Sequence, residues 1–227
     1  MRRSSGYPRI KRARETVRTT YLACRLGFTG DRGKTITNAS AGSQSAEKWE
    51  AQDLRVTTFP RPEADVSGMA SWWKDVVENE PDEAVSRPQL GQLQQFGTLQ
   101  GKRLALLVQP GRVDWSLTAS YSPDELVATL PVGPFPEVLP PFLAVVNRWL
   151  EMCPPVARLA FGARLTQSVD DHKAGHNRIA RYLPAMEIDP EGSSDFLYQI
   201  NRPRNSSSGI PKLQINRLIK WSVQRAG

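Results

Sequence analysis

One segment of the chain contains part of the motif that binds nucleotide phosphates. Residues 27–35 read Gly-Phe-Thr-Gly-Asp-Arg-Gly-Lys-Thr and follow an expected strand. A P-loop needs its first glycine five positions before the final Gly-Lys, because its backbone N–H groups wrap the phosphates at a fixed radius. That position is Phe28, and Gly27 stands one residue too early. The residues after Thr35 are poor helix formers, so we expect no nucleotide site and no bound cofactor here.

The two histidines of the chain, His172 and His176, are four residues apart. On a helix this spacing places both imidazoles on one face, as metal ligands or a proton relay would require. However, Lys173 stands where a zinc protease has its glutamate base, and the same helix face continues with apolar residues. His172 and His176 are therefore the candidate metal ligands, but we favour packing of the imidazoles and capping of the helix by Asp170 and Asp171.

Signatures of nucleophilic catalysis are missing from the sequence. It has no Gly-x-Ser-x-Gly elbow, and its cysteines, Cys24 and Cys153, have no nearby cysteine or histidine. Apolar neighbours raise the pKa of a thiol, so we interpret both as reduced core residues of a cytosolic protein. We name no catalytic residue and favour a protein that is not an enzyme. An active site assembled from distant segments would leave no local pattern and stays an alternative.

Charge is the most uneven property of the chain. Its 227 residues include 30 Lys and Arg against 23 Asp and Glu, a formal net charge of +7. Residues 1–14 and 202–227 contain six basic groups each and no acid, which leaves residues 15–201 with a net charge of −5. A slightly acidic body with two basic ends predicts a contact surface for an anionic partner at those ends.

We therefore expect a non-enzymatic interaction protein whose basic terminal segments bind an anionic protein surface or a nucleic acid. Sequence-tolerant nucleic-acid binding is the alternative, although no RNA-binding or zinc-finger pattern supports it. The expected partner-binding residues are Arg2, Arg3, Arg9, Lys11, Arg12, Arg14, Arg202, Arg204, Lys212, Arg217, Lys220 and Arg225.

The sequence Gln-Ile-Asn-Arg occurs at 199–202 and again at 214–217, on the two arms of an expected hairpin. We expect Ile200 and Ile215 to point inward at about the same level, and Arg202 or Arg204 to approach Lys212. Neighbouring like charges are unfavourable unless an anion meets them. The simpler interpretation is that basic residues guard an exposed sheet edge.

Hydrophobic periodicity predicts the elements that position these residues. The clearest signal is a hairpin at 103–118 with Pro110-Gly111 in a type II turn, preceded by a strand at 92–99. Further strands are predicted at 16–28, 54–59, 158–166, 196–200 and 213–223, and amphipathic helices at 69–77, 140–153 and 170–183. Leu218 beside Ile219 also permits a helix at the last strand. The pattern predicts an α+β fold with a largely antiparallel sheet of meander and hairpins and two to three packed helices.

Composition predicts one domain without a membrane span. A chain of this length, 39% hydrophobic, can bury about 70% of its unfolded surface in one core. We expect a basic disordered head at 1–15, which also resembles an organelle transit peptide, and a single domain at 16–227 with a flexible loop at 29–46. No apolar stretch approaches the roughly 20 residues of a transmembrane helix, so we expect a cytoplasmic protein.

The central part of the chain resembles one group of known proteins. The hairpin at 104–117, the segment Phe-Pro-Glu-Val-Leu at 135–139 leading into the helix, and the strand at 156–165 look like a sporadically distributed bacterial group of α+β proteins of unknown function. The resemblance covers roughly residues 50–200 and rests on spacing and apolar pattern. It implies a bacterial α+β protein and carries no functional residues.

Overall fold

The computed structural model describes residues 15–22, 49–120, 130–207 and 213–225, with the backbone alone for 15–22 and 225. The described strands are β1 (Glu15–Leu22), β2 (Glu50–Pro60), β3 (Glu83–Arg87), β4 (Gln92–Leu99), β5 (Lys102–Gln109), β6 (Arg112–Thr118), β7 (Gly133–Pro134), β8 (Val156–Val169), β9 (Leu197–Asn205) and β10 (Gln214–Arg225). The described helices are α1 (Trp72–Val77), α2 (Phe135–Met152) and α3 (His172–Tyr182), with 3₁₀ turns at Ser67–Ala70 and Pro88–Leu90. The basic head, the P-loop-like segment, the loop at 29–46 and Cys24 lie outside the described residues.

One sheet contains all ten of these strands. Its order is β3-β4-β5-β6-β2-β8-β1-β10-β9, and β7 pairs with the start of β2. Every recorded pairing is antiparallel. The predicted α+β fold with a largely antiparallel sheet and about three helices is therefore confirmed. None of the helices in the described part of the chain is long and apolar enough to cross a membrane.

The helices cover one face of the sheet in two hydrophobic clusters. The larger cluster packs α1 and α2 on β2, β4, β5, β6 and β8, and the smaller packs α3 on β8 and β10. From β8, Leu165 belongs to the first cluster and Val169 to the second. Successive side chains of a strand alternate between faces, so residues four apart point the same way. Both clusters consequently share one face, and the opposite face of the sheet has no described helix.

Tryptophans fill the larger cluster. Trp73 of α1 stacks on Trp115 of β6 with ring centroids 5.8 Å apart, and Trp149 of α2 lies 6.2 Å from Trp115. Gly97 of β4 lies directly beneath Trp73, where a Cβ would be 2.6 Å from the indole carbon Cζ2. A glycine at this position therefore lets α1 approach the sheet closely.

The local hairpin signals are reproduced by the structure. β4 occupies 92–99 as predicted, and Gly111 has φ +70 in the turn between β5 and β6, as a type II turn requires. The last segment is the strand β10, so the helical alternative for 213–223 is wrong. Pairing of β10 with both β1 and β9 explains this outcome, because two ladders satisfy its backbone where a helix would leave both neighbours unpaired.

Two local expectations are wrong. α2 begins at Phe135, five residues before the expected start at Pro140. Pro136 already occupies the first turn of the helix. Val138 and Leu139 pack against the larger cluster and hold the following turn in place. The strands predicted from the sequence also do not include residues 83–87, where Glu83 begins β3. β3 pairs with β4 while all five of its side chains are exposed, so it lacks the buried alternation that would have revealed it.

Candidate functional site

Arginines gather on the distal half of the β9–β10 hairpin, residues 201–205 and 214–218, which we call the ribbon. β1 pairs with β10 as far as Leu22↔Leu218, and from there to Gln214 the recorded partner of β10 is β9 alone. Arg202 and Arg217 are directly opposite each other in this register. Facing residues of an antiparallel pair have Cβ atoms about 5 Å apart, so two guanidinium groups share one small area.

Local chemistry explains why the ribbon forms here. β9 is the edge strand, where Pro203 is tolerated because a missing N–H costs nothing on the side without a neighbour. The backbone N–H of Ser206 donates to the carbonyl of Leu213 at 2.8 Å and closes the distal end. The ribbon is therefore held mainly by its backbone ladder, and its side chains are available for contact.

The two faces of the ribbon differ in chemistry. Arg202, Arg204 and Arg217 lie on the face that continues to α3, and Arg202 and Arg204 are exposed. The opposite face carries four exposed amide side chains, namely Asn201, Asn205, Gln214 and Asn216. Guanidinium groups only donate hydrogen bonds, whereas amides both donate and accept them. One face can therefore neutralise anions and the other can recognise polar groups.

The ribbon arginines have no carboxylate nearby in sequence, because residues 196–227 contain no Asp or Glu. Within the described part of the chain, none of the three forms an ion pair. Other arginines do: Arg148 lies 2.5 Å from Glu78, and Arg164 lies 3.3 Å from Asp53. The ribbon therefore concentrates uncompensated positive charge.

The structure places the other expected partner-binding residues apart from the ribbon arginines. Lys220 is exposed on the opposite face of β10, and Arg225 ends β10 opposite Glu15, the last residue of the basic head. Arg217 and Arg225 are eight strand residues apart, about 26 Å. The head residues 2–14 and Lys212 lie outside the described residues.

The prediction that Ile200 and Ile215 lie at about the same level of the β9–β10 hairpin is wrong. Ile200 faces Ile219, and Ile215 faces Arg204, so Ile200 and Ile215 share a face four residues apart. The register is fixed by the pairing along the whole of β9 and β10, which the repeated tetrapeptide does not determine. This register places Arg202 opposite Arg217, a pair that the sequence did not predict.

The histidine pair lies on α3 as predicted and packs into the smaller cluster. The rings of His172 and His176 have centroids 4.2 Å apart, and His176, fully buried, lies 6.1 Å from Phe196. In the parts of the chain that the structure describes, no third His, Cys, Asp or Glu completes a metal-binding group. The carboxylate of Asp171 accepts the N–H of Ala174 at 2.7 Å, which confirms the expected cap of α3.

A loop beside this pair contains a carboxylate with a perturbed pKa. Backbone N–H groups of Gly192 and Glu191 donate to Asp189 and hold its pKa below the ordinary value, with a smaller contribution from His176. The neighbouring Glu191 forms an ion pair with Lys173 of α3. The charged form of Asp189 therefore stabilises the loop that lies against α3.

Asp189→Asn is expected to remove a pH-dependent contribution to stability. A lowered folded-state pKa favours folding when the group is charged, so the contribution is present above the unfolded value of about 3.9 and is lost as the pH falls through the lower folded value. Thermal unfolding of D189N and wild type should differ at about pH 6, and the difference should shrink as the pH falls below the unfolded value of about 3.9. Asp195→Asn, in the same exposed segment, is the control, and a difference that persists at acid pH would contradict the argument.

A buried ionic network lies on the helix-free face and was missed by sequence reasoning. The guanidinium of Arg112 donates two hydrogen bonds to Asp114, from Nε to Oδ2 at 2.6 Å and from Nη2 to Oδ1 at 3.0 Å. The hydroxyl of Thr57 donates to Oδ1 of the same carboxylate at 2.5 Å. The pair raises the pKa of Arg112. A carboxylate held by three donors, two from β6 and one from β2, joins these two strands.

The remaining thiol fits the expectation of an unreactive cysteine. Cys153 follows α2, is half-buried, and its Sγ lies 3.6 Å from the carbonyl of Leu150. Burial raises the pKa of this thiol, which disfavours the reactive thiolate. Comparisons with protein-family models, with curated proteins and with solved structures found no match for this chain.

Proposed function

We propose that this chain is a non-enzymatic interaction protein that binds an anionic partner through cations of its terminal segments, and that the ribbon is the described part of that surface. The observation that carries the proposal is the gathering of Arg202, Arg204 and Arg217 on one face, where none of them forms an ion pair within the described part of the chain. Like charges at facing positions destabilise a sheet, so this arrangement costs stability in the isolated protein. An anion lying across the three guanidinium groups would reverse that cost.

Protection of the sheet edge accounts for only part of the arrangement. Charged residues and proline on an edge strand prevent pairing with other chains, and Arg202, Pro203 and Arg204 on β9 fit that role. Arg217 lies on β10, which pairs with β9 along one edge and with β1 only as far as Leu218 along the other. Edge protection accounts for a cation on either strand, but it does not require Arg202 and Arg217 to occupy facing positions.

The ribbon arginines differ from two other arginines of the sheet. Arg103 lies over the ring of Phe96 at 4.4 Å and 3.8 Å from Glu83, and Arg158 lies over the ring of Phe59 at 5.0 Å. These side chains have partners within the fold that account for their positions. Within the described part of the chain, no ion pair or cation–π contact accounts for the positions of the ribbon arginines in this way.

Binding to immobilised heparin, a flexible polyanion, tests this function. The triple variant R202Q/R204Q/R217Q should elute at clearly lower salt than wild type, and its affinity for a labelled polyanion should fall at least tenfold. Loss of three anion contacts should also reduce the slope of log K against log salt. Glutamine keeps the side chains polar, so circular dichroism should show an unchanged fold.

The matched control removes the same charge elsewhere. Arg55, Arg61 and Arg87 are exposed, and R55Q/R61Q/R87Q lowers the net charge by the same three units. If this control and the ribbon variant elute together, net charge alone governs binding and the proposal is wrong. Deletion of residues 1–14 in the wild-type and ribbon-variant backgrounds measures the contribution of the basic head separately.

A further inference from the structure

We infer that two copies of this chain pair through β3, so that their sheets join edge to edge across a two-fold axis. This inference goes beyond the proposed function and concerns a different surface, because β3 and the ribbon lie at opposite ends of the sheet. The observation behind it is that β3, which reads Glu-Ala-Val-Ser-Arg, is complementary in charge to its own reverse. An antiparallel copy centred on Val85 therefore brings opposite charges together at both ends of the pairing.

The outer edge of β3 offers backbone groups for such pairing. β3 is the first strand in the order of the sheet, and in the described part of the chain no strand pairs with it except β4. Alternate N–H and C=O groups of an edge strand point away from its neighbour and can form hydrogen bonds with another strand. All five side chains of β3 are exposed, so no described element covers this edge.

The two edge strands of the sheet differ in how they resist pairing. β9 has Arg-Pro-Arg at 202–204, and proline and cations are usual protections of an edge. β3 contains no proline and no lysine, pairs with β4 without a recorded bulge, and has the half-exposed Val85 at its centre. Its charged residues, Glu83 and Arg87, have opposite signs. They therefore disfavour most other strands but not a reversed copy of β3.

Charge also sets the register of the two strands. A two-fold axis makes each contact occur twice, with residue i facing j and residue j facing i. With the axis at Val85, Glu83 faces Arg87 of the second copy at both ends, and the two valines face each other. A shift by two residues, the smallest that keeps these side chains on one face, would place Val85 opposite a charged residue instead.

The fold leaves room for this arrangement. Ser86 pairs with Leu93, which belongs to the larger cluster, so Ser86 and Ala84 lie on the helix face and present only small side chains there. In this register the helices of both copies lie on the same face. α1 lies over β4, where Trp73 covers Gly97, and the two β4 strands would be three strand spacings apart, about 14 Å. Packed helices lie about 8–10 Å apart, so two copies of α1 fit side by side.

The charged side chains of β3 are available to a second copy. Arg87 is exposed and forms no ion pair within the described part of the chain. Glu83 lies 3.8 Å from Arg103, but its side chain is 67% exposed. Since a carboxylate accepts from more than one donor, Glu83 can keep this contact and also bind Arg87 of the second copy.

The size of the contact predicts a weak dimer. β3 has five residues and is followed by Pro88, so the pairing is short and buries a small area. Exposed ion pairs contribute little to stability. The backbone ladder therefore supplies most of the attraction and the charges select the register, which predicts a dimer that dissociates on dilution.

Sedimentation velocity of the full chain over a range of concentrations measures this association. Wild type should form a reversible dimer, and Arg87→Glu should weaken it about tenfold, because both opposite-charge pairs become like-charge pairs. The charge-swapped variant E83R/R87E should restore dimerisation to near the wild-type level, since it recreates both pairs with exchanged signs. Arg61→Glu, an exposed change of equal charge outside β3, is the control and should dimerise like wild type.

A cysteine at the axis tests the register directly. In Val85→Cys the two thiols would face each other, with Cα atoms within the roughly 4.4–6.8 Å that a disulfide spans. Mild oxidation should therefore give a covalent dimer. Ala84→Cys is the control, because its two copies would be offset by two residues and more than about 7 Å apart. Wild type, which has its own cysteines, sets the background.

Three results would overturn the inference: a chain that stays monomeric at about 1 mM, a dimer that R87E does not weaken, or a dimer that a folded E83R/R87E does not restore. Monomeric wild type with slow hydrogen exchange along β3 would likewise overturn it, because another segment of the same chain would then occupy the edge. The proposed function is tested separately, since R202Q/R204Q/R217Q leaves β3 intact. The heparin control contains R87Q, so its elution is compared with wild type at concentrations where both are monomeric.

Discussion

Trp149→Ala is expected to destabilise the protein by about 3–5 kcal/mol, as truncation of a large buried aromatic side chain does. Trp149 is fully buried, and its ring lies 4.6 Å from Trp72 and 6.2 Å from Trp115. The indole therefore joins α1, α2 and β6 at one point. Removing it leaves a cavity that three elements border, and none can close it without moving off the sheet.

Urea unfolding followed by circular dichroism measures this effect, since tryptophan fluorescence would itself change. For a chain of this size the loss corresponds to a fall in Tm of roughly 6–20 °C. Trp149→Phe should cost less, because most of the ring contacts persist. Leu197→Ala, at a position 65% exposed, should change stability by less than about 0.5 kcal/mol. Equal losses for W149A and L197A would contradict the central position assigned to Trp149.

The inner stripe of α2 shows what the sequence can predict. The spacing of Phe142, Val145, Val146 and Trp149 places these residues on one face of the predicted helix, and all four are buried in the larger cluster. The same holds for the alternating residues of the β5–β6 hairpin. These features follow from local periodicity, because a side chain's face is set by its position within its own element.

The site could not be predicted in the same way, because it depends on pairing between distant segments. The sequence identifies Arg202 and Arg217 as cations, but only the register of β9 against β10 brings them together. Similarly, the sequence of the hairpin alone places Asp114 on the face away from the core, and only the pairing of β2 with β6 brings Thr57 opposite it. β1 pairs with β8 and β10, which follow it by more than 130 residues, and no local pattern encodes that order.

Arg112→Ala is expected to destabilise the protein more than Asp114→Ala, although both break the same ion pair. The two partners differ in burial: the side chain of Asp114 is 8% exposed and that of Arg112 is 41% exposed. After loss of Arg112, a nearly buried carboxylate keeps Thr57 as its described donor, and water has little access to it. After loss of Asp114, the guanidinium can turn toward solvent, and the main cost is the buried hydroxyl of Thr57.

We expect R112A to lower the free energy of unfolding by about 2–3 kcal/mol, and D114A to lower it by about 1–2 kcal/mol. The loss for R112A is smaller than the roughly 3–5 kcal/mol of a fully buried pair, because Arg112 is partly solvated. The double variant should lose less than the two single losses combined, since removing both charges leaves neither one unpaired. Urea unfolding of the four proteins completes this cycle.

Arg164→Ala, which breaks the more exposed pair with Asp53, is the control and should cost less than about 1 kcal/mol. A greater loss for D114A than for R112A would show that desolvation of the carboxylate does not govern this network, and the position of Asp114 would then have to be explained by its bond to Thr57.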